Sequence, residues 1–437
     1  MNSFLKEIEQ TKINSKIKGI PFLKSKSVKK IKLEKLNIMK ENIQFPILSI
    51  DKLQLIKNIR IMKNFAVKNN LSLAPHCKTF MSPQLINNHL KKTWGLTISN
   101  NQQLSTIINL NVKNIIYGNL IVNETNLIQY LDIVKKYRKL TNIYYCIDSL
   151  FGLDLLMKVV NKKNYKFKIR ILIELGTKNG RCGIRNFKNF KNIVNSLNNI
   201  PKNILVSGLF FYEGAINNNS IVKVSNKIKD LLKFTFKCHK ELVEQNLYKE
   251  KIKLISGGGS EYFDLVTKYY NKFNIKNDTK LILRPGSFIA YGHGYYEKKI
   301  DNLKKRNLII NVSEKNKIFF KPSLLLWSHV LSINDNGIAI VNFGKRDVSF
   351  DLGNPIPINV YRNKKIYRNN ESKSNSLNVI KLNDQHAFLK YNNKIKLNIG
   401  DLISFGISHP CITLDKWKYV FLINSKLDII DVYQTFF

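Results

Sequence analysis

Short apolar runs recur along the first three hundred residues, and the segments between them carry apolar residues at every third or fourth position. Eight of the runs have the length and the β-branched or aromatic content of buried strands. These runs are FPILSID (45–51), SLAPHCK (72–78), GLTISN (95–100), NIIYGN (114–119), NIYYCID (142–148), FKIRILIELG (167–176), VSGLFFYEG (206–214) and KLISGGG (253–259). The intervening segments, such as 51–68 and 222–247, have the periodicity of amphipathic helices.

Apolar strands that alternate with amphipathic helices indicate parallel strands covered by helices. So many units in succession fit a closed (β/α)8 barrel, which we predict for residues 45–300. An open doubly wound sheet is the structural alternative, although it does not normally contain so many repeats. Residues 1–44 are a basic lead-in with weaker patterning.

The pattern changes after about residue 300, where helical periodicity is largely absent. The remaining apolar runs are strand-like and are separated by Asn, Asp and Gly. They are HVLSINDNGIAIVNFG (329–344), PIPINVYR (355–362), AFLKYNNKIKL (387–397), DLISFGIS (401–408) and YVFLINSKLDIIDVY (419–433). We therefore predict an all-β C-terminal domain over residues 301–437.

The bulk composition is that of a globular protein with a substantial core, because 44% of the residues are hydrophobic and 11% are aromatic. No apolar run approaches the roughly 20 residues that cross a bilayer. The first residues lack the apolar segment of a secretory signal, so we expect a cytoplasmic location. The five cysteines are odd in number and widely spaced, which argues against a disulfide framework.

The formal net charge of +42 raises the possibility of nucleic-acid binding, for which a basic face is the usual electrostatic signature. The lysines are scattered along the whole chain beside abundant Asn and Ile, however, and no known nucleic-acid-binding motif occurs. We expect a small-molecule substrate, with neither a nucleic-acid partner nor a membrane.

Lys78 is the first candidate for chemistry, because it stands at the end of an apolar strand. Active-site groups of such barrels come from the C-terminal ends of the strands. A lysine that loses hydration there has a lowered amine pKa and can attack a carbonyl. Most lysines are ordinary surface residues, and the position of Lys78 is what distinguishes it.

The segment Gly257, Gly258, Gly259 and Ser260 follows the last predicted strand and is a candidate phosphate-binding loop. Glycines allow backbone N–H groups to turn toward an anion, and a following helix adds its positive end. A glycine run also forms ordinary tight turns. Together with a reactive lysine, the loop suggests a phosphorylated aldehyde cofactor, pyridoxal phosphate.

The sequence resembles the fold-type III pyridoxal phosphate enzymes, in the D-serine dehydratase and D-threonine aldolase branch and its amino acid deaminase group. The likeness rests on strings that occur in the same order over nearly the whole chain. They are LAPHCKTFMSPQL (73–85), WGLTIS (94–99), IELGTKNGRCGIR (173–185), FYEGA (211–215), GGGSEYFDLV (257–266), GKRDVSFDLG (344–353), LNDQHAFL (382–389) and FGISHPCITLDKW (405–417).

This resemblance implies an alanine racemase-like TIM barrel followed by a β-domain. It implies that Lys78 forms the Schiff base with pyridoxal phosphate and that Gly257–Ser260 hold the phosphate. His76 and Arg181 would lie near the cofactor ring, with Tyr212 packed against it or hydrogen-bonded to it. It also implies a homodimer in which each subunit completes the active site of the other.

His409 and Cys411 are the second candidate pair. Side chains two apart on an extended segment point the same way, and imidazole nitrogen with thiolate sulfur suits Zn²⁺. By itself, a His-x-Cys string is often structural. In the family that the chain resembles, this position is the metal site. Dehydratases there carry cysteine and aldolases carry aspartate, so the resemblance favours dehydration.

Other polar residues in the shared strings have no assigned role; we expect them near a partner-subunit wall or around the metal. They are Lys345, Arg346, Asp351, Asp384 and His386. His293 fits an ordinary loop position without a functional role equally well.

The expected reaction is dehydration of D-serine, or of a related D-3-hydroxy amino acid, to a 2-oxo acid and ammonia. D-Threonine aldolase, amino acid racemase and a non-catalytic pyridoxal phosphate binder are the alternatives.

Overall fold

A computed structural model describes residues 2–34, 36–40, 43–216, 218, 220–273, 275, 277–306, 311–313, 316–317, 319–334, 336–369, 376–392 and 394–437. The chain divides into two compact units. The first, here the barrel unit, comprises Lys63–Lys78 and Leu90–Gly286. The second, here the β unit, comprises Met1–Met62, Thr79–His89 and Ser287–Phe437. No helix among the described residues is long and apolar enough to cross a membrane.

The barrel unit contains a single sheet of eight parallel strands. In spatial order the strands are Ser72–Leu73, Thr279–Leu283, Lys253–Gly257, Ile204–Phe211, Ile169–Leu175, Asn142–Ile147, Asn114–Tyr117 and Leu96–Ile98. The two ends of the sheet meet, because His76 forms a parallel bridge with Thr97, whose N–H donates to the Pro75 carbonyl at 2.9 Å. The sheet is therefore a closed barrel, and the predicted fold is confirmed.

The barrel strands are apolar because both of their faces are covered. All eight residues of Ile204–Phe211 are buried. Inside the ring, the side chains of Ala74, Ile116, Tyr144, Cys146, Leu172, Phe210, Leu254 and Ile282 form a core cluster.

The helices of the barrel unit follow the strands. They are Asn101–Ile107, Glu124–Tyr137, Leu150–Lys162, Phe187–Leu197, Ile221–Glu244 and Phe263–Tyr270. The helix Lys52–Lys68 and the 3-10 turn Cys77–Thr79 have residues in both units. Five of the helices begin at an Asn or Ser whose side chain accepts a hydrogen bond from the first turn; these residues are Asn100, Asn123, Ser149, Asn186 and Ser220. Such caps satisfy N–H groups that have no partner within the helix.

One strand assignment from the sequence is wrong. The run 45–51 was predicted as the first barrel strand, but Ile47–Asp51 pairs with Leu324–Asn334 and with Tyr419–Ile423 in the β unit. The missing barrel strand is Thr279–Leu283, which lies between Ser72–Leu73 and Lys253–Gly257. Both segments are short apolar runs, so periodicity does not show which sheet each one joins.

The β unit is dominated by a ten-stranded sheet. Seven strands form a row in the order Lys365–Asn369, Ile356–Arg362, Leu402–Gly406, Leu324–Asn334, Ile338–Val341, Ala387–Tyr391 and Leu377–Leu382. The remaining strands branch from Leu324–Asn334, which pairs with Ile47–Asp51; Tyr419–Ile423 and then Ile429–Gln434 follow outward from that strand. The pairs Lys12–Ile13 with Lys26–Ser27, and Asn311–Ser313 with Asn316–Lys317, are separate ribbons.

The helices of the β unit are Ser3–Gln10, Val28–Leu33, Pro83–Leu85, Tyr295–Lys305 and Pro410–Asp415, with a π-helical turn at Ile86–Leu90. The basic lead-in packs into this unit, because its side chains Ile13, Ile20, Val28 and Ile31 are buried in the same core cluster as Trp327. The units therefore follow different boundaries from the predicted ones at residues 44 and 300.

Candidate functional site

The mouth of the barrel brings together the residues that the sequence proposed from separate strand ends. A small, open depression at this mouth is lined by Glu174, Gly176, Thr177, Gly180, Arg181, Cys182 and Tyr212. The Arg181 guanidinium lies over the Tyr212 ring, 4.9 Å from its centroid. This stacking is a cation–π contact that orients the guanidinium at the pocket wall.

Lys78 lies in the 3-10 turn Cys77–Thr79, directly after the segment that closes the barrel. Lys78 is exposed, so our prediction that its amine loses hydration is wrong for the described chain. This exposure leaves Lys78 in contact with solvent.

His76 is positioned by two hydrogen-bond contacts. Its Nδ1 accepts from the Lys78 backbone N–H at 3.3 Å, and its Nε2 lies 3.2 Å from the Ser99 hydroxyl. Desolvation, together with the nearby charges of Lys78, Arg284 and Arg181, lowers the pKa of His76 well below its usual value. His76 is therefore a neutral imidazole at physiological pH.

The glycine loop differs from the predicted phosphate cradle. The N–H groups of Gly258 and Gly259 already donate to the Glu213 carboxylate, at 3.1 and 2.6 Å. Glu213 is 0% exposed, and this burial raises its pKa although the two N–H groups oppose the shift. Two backbone donors that the sequence assigned to a phosphate are thus used to hold a buried side chain.

The predicted positions in this loop have different surroundings. A Cβ on Gly257 would meet the Phe211 ring at 2.1 Å, and Gly258 has a φ of +80°, so both positions require glycine. A Cβ on Gly259 would lie 3.2 Å from Tyr212. The Ser260 hydroxyl accepts from the Gly286 N–H at 3.0 Å, which ties the loop to the end of the neighbouring strand.

Arg284 and Glu174 are site residues that the sequence reasoning missed. Arg284 is 6% exposed and stacks on the Phe210 ring at 3.7 Å, and one of its terminal nitrogens donates to the Phe211 carbonyl. Its Nε has no hydrogen-bond partner among the described residues. The signal was its place directly after an apolar strand, but that strand, Thr279–Leu283, was itself missed.

Glu174 is the second buried carboxyl group of the mouth. Burial raises the pKa of Glu174 to about 7, with a further contribution from Asp148, whereas the charges of Arg284 and Arg181 oppose the shift. A carboxyl group with this pKa exchanges a proton near neutral pH.

His409 and Cys411 lie in the β unit and are in hydrogen-bonding contact with each other. Their backbone is not the extended segment that we predicted. His409 precedes the helix Pro410–Asp415, and Cys411 lies in its first turn. Proline is well accommodated at the first position of a helix, which explains why the helix begins directly after the histidine.

Asp351 fixes the imidazole of His409. Its carboxylate Oδ2 lies 2.6 Å from His409 Nδ1. Burial alone would lower the pKa of His409, but the hydrogen bonds to Cys411 and Asp351 raise it overall. The contact places Asp351 beside the candidate metal ligands, as one of our two expectations for it required. On the other side, Cys411 Sγ donates to the Thr79 hydroxyl at 3.4 Å.

The remaining candidates lie elsewhere in the β unit. Asp384 and Arg346 are exposed and 4.0 Å apart, and the Lys345 amine lies 5.6 Å from the Phe350 ring centroid. His386 is exposed. His293 is half-buried, its ring abuts Gly406, and desolvation lowers its pKa to about 4, so it is part of the packing.

Solved structures resemble this architecture over nearly the full length of the chain. A D-threonine aldolase from Filomicrobium marinum has a TM-score of 0.71 at 16% identity, over 92% of this chain and 97% of its own. A D-threo-3-hydroxyaspartate dehydratase from Delftia sp. HT23 has a TM-score of 0.66 at 14% identity, over 91% and 98%. An alanine racemase from Clostridium difficile 630 has a TM-score of 0.60 at 13% identity, over 89% and 98%. The fold is that of the fold-type III pyridoxal phosphate enzymes.

The C-terminal part of the chain also matches a protein-family model. Residues 323–423 match the family model of the putative serine dehydratase domain, and His409 and Cys411 lie inside the match. No curated protein is similar enough in sequence to count as a relative. The predicted resemblance to the D-serine dehydratase and D-threonine aldolase branch is confirmed by this domain match and by the shared fold.

The barrel mouth has the donor set that pyridoxal phosphate requires. The exposed residue Lys78 would be the attachment point, and the buried Nε of Arg284 is a cationic donor that an anion would satisfy. The Ser260 hydroxyl and the start of the helix Phe263–Tyr270 follow the glycine loop. The residues therefore fit the cofactor, although Glu213 occupies two of the expected N–H donors.

His409 and Cys411 supply the nitrogen and sulfur donors that zinc prefers. A carboxylate on the second ring nitrogen of a ligating histidine is a common supporting contact in zinc sites, and Asp351 provides it. The described residues contain no group of three or more His, Cys, Asp or Glu that could hold a metal. The pair fits a two-ligand site, which leaves coordination positions for a substrate.

Proposed function

We propose that this chain is a pyridoxal phosphate- and zinc-dependent lyase that dehydrates D-serine or a related D-3-hydroxy amino acid. D-Serine would lose water and then its amino group by hydrolysis, giving pyruvate and ammonia. The contact of His409 with Cys411 and Asp351, within a matched serine dehydratase domain, is the observation that carries the proposal.

Different residues of the chain would have different roles in this reaction. Lys78, an exposed residue, would hold the cofactor and then take the α-proton of the substrate. Arg284 and Arg181 would hold anionic groups at the mouth, and neutral His76 would contribute no competing positive charge. When bound, pyridoxal phosphate supplies an electron sink for the α-carbon, and zinc on His409 and Cys411 supplies a Lewis acid for the β-hydroxyl.

The metal part of the proposal has support from a relative. A D-threo-3-hydroxyaspartate dehydratase with a TM-score of 0.67, at 14% identity over 92% of this chain and 99% of its own, was solved as a cysteine-to-alanine mutant in the metal-free form. We propose the same kind of dependence here for Cys411. The homodimer expected from the resemblance stays a prediction.

D-Threonine aldolase is the second candidate, because a structure with that activity in its name has the same fold. An aldolase would cleave D-threonine to glycine and an aldehyde, and the Cα–Cβ bond would break in place of the Cβ–O bond. The cysteine at position 411 is what favours dehydration, since the aldolases of this branch are expected to carry an aspartate there.

The test is pyruvate release by the purified protein loaded with pyridoxal phosphate and zinc. We expect pyruvate from D-serine, none from L-serine, and loss of release after a zinc chelator with recovery on zinc addition. Glycine and acetaldehyde from D-threonine, without pyruvate from D-serine, would replace the dehydratase assignment with the aldolase. Chelator-insensitive pyruvate would remove zinc from the mechanism.

A further inference from the structure

Thr79 is a buried polar residue to which neither the sequence nor the proposed reaction gives a role. It is 1% exposed and ends the 3-10 turn Cys77–Thr79, so it directly follows Lys78 in the chain. A buried hydroxyl group is costly unless it has a hydrogen-bond partner. The partner of the Thr79 hydroxyl is the sulfur of Cys411, at 3.4 Å.

The direction of this hydrogen bond depends on what the sulfur holds. A neutral Cys411 thiol donates its S–H to Thr79 Oγ1. A sulfur that ligates a metal is a thiolate and has no proton, so the hydroxyl must then become the donor. A threonine hydroxyl can serve in either direction by rotating about its C–O bond. The contact is therefore compatible with both states of the cysteine.

We propose that Thr79 is a positioning residue for the metal thiolate of Cys411, in a role parallel to that of Asp351 at His409. Each of the two candidate ligands then has one polar side chain that fixes its orientation: the Asp351 carboxylate at 2.6 Å from the imidazole and the Thr79 hydroxyl at 3.4 Å from the sulfur. Supporting contacts of this kind commonly change metal affinity by about 10–100-fold.

The position of Thr79 in the chain adds a second consequence. The residue that supports the metal cysteine is joined by one peptide bond to the proposed cofactor lysine. A substitution at Thr79 that repositions Cys411 therefore also changes the residue next to Lys78. This inference rests on the proposed function, because it assumes zinc at Cys411.

The experiment measures zinc affinity by equilibrium dialysis of the full chain, loaded with pyridoxal phosphate, against a chelator that buffers free zinc. Metal content is read by elemental analysis, so the readout is independent of turnover. We expect Thr79→Val, which keeps the shape but removes the hydroxyl, to weaken zinc binding about 10–100-fold. Thr79→Ser keeps the hydroxyl and should restore the affinity to within about threefold.

Thr235→Val is the matched control, because Thr235 is also fully buried but bonds to the Leu231 carbonyl within its own helix. It should leave zinc affinity unchanged. Pyridoxal phosphate content and the thermal midpoint identify any variant that fails to fold, and Thr79→Ala then serves as the second test.

Wild-type zinc affinity in Thr79→Val, with the cofactor retained, overturns the inference and leaves the metal site intact. A wild-type protein that binds no zinc at all overturns the metal part of the proposed function, and the inference with it. Equal weakening in Thr79→Val and Thr79→Ser also overturns the inference, because the effect would then not depend on the hydroxyl.

Discussion

The barrel mouth collects its polar side chains from five strand ends between Lys78 and Arg284, whereas the candidate metal pair comes from one short segment around Pro410. In the mouth, the protonation of Glu174 and His76 depends on burial and on charges contributed by several strands. The pKa of His409 depends on burial and on two nearby side chains only, Cys411 and Asp351. The barrel mouth is assembled from distant segments, so we expect its protonation states to respond to changes in many parts of the barrel. The pair of His409 and Cys411 is local, so we expect it to respond mainly to single substitutions nearby.

The largest effect is expected for Lys78→Ala. Loss of the amine removes the attachment point of the cofactor and the proposed base, so turnover should fall by at least about 10³-fold. The visible absorbance of bound pyridoxal phosphate should disappear, while zinc content stays at the wild-type level. Lys178→Ala, which changes an exposed lysine in a neighbouring mouth loop, is the control. An unchanged absorbance in Lys78→Ala would contradict the cofactor assignment.

Cys411→Ala tests the other region. Removing the sulfur should abolish stoichiometric zinc and lower dehydration by about 10³-fold, because a Lewis acid supplies several kcal/mol to such a step. Pyridoxal phosphate should remain bound, as its absorbance would show. Cys238→Ala replaces a buried cysteine in the helix Ile221–Glu244 and should keep its zinc. Loss of both zinc and cofactor from Cys411→Ala would show that the two regions are not independent.

Glu174 should make the stability of the chain depend on pH. Its folded-state pKa of about 7 is raised above the value of about 4.3 for an unfolded carboxyl group, so between these values the folded chain binds more protons. The free energy of unfolding should therefore fall as pH rises from 5 to 8, by about 3 kcal/mol from this group.

The measurement is denaturant unfolding at a series of pH values. Glu174→Gln stays uncharged and should lose this pH dependence, so its stability relative to the wild type should increase from pH 5 to pH 8. Equal slopes in the two proteins would mean that Glu174 is not a buried acid of raised pKa.

Glu213→Gln should have the smallest effect. The amide retains one acceptor oxygen, so either Gly258 or Gly259 loses its partner and faces an N–H₂ donor. We expect the affinity for pyridoxal phosphate, titrated by absorbance, to fall about tenfold. Glu250→Gln, which breaks an ion pair with Arg170, is the control. Tighter cofactor binding in Glu213→Gln would mean that the carboxylate competes with the phosphate.

Much of the fold could be predicted from the sequence because barrel strands must be apolar on both faces. The run at 206–214 shows this clearly, since all of Ile204–Phe211 is buried. The exchange of Ile47–Asp51 for Thr279–Leu283 could not be foreseen, because sheet membership is decided by contacts with distant strands.

The candidate site was predictable to a similar extent. Lys78, Arg181 and Tyr212 stand at strand ends, which are readable from the apolar pattern. Arg284 was missed together with its strand, and the role of Glu213 could not be inferred because it depends on how the loops after two neighbouring strands approach each other. Asp351 lay in a recognised string, but only the fold brings it to His409.

The closure of the barrel also constrains how the chain reaches its native state. Leu73 pairs with Leu283 on one side, and Pro75 and His76 pair with Thr97 on the other. The ring therefore cannot close until the ribosome has released almost two thirds of the chain. Pairing between segments that are distant in the chain costs loop-closure entropy before the stabilising contacts form, and this cost slows folding. Until then, the strand that precedes Lys78 has one unpaired edge, which is open to association with other chains.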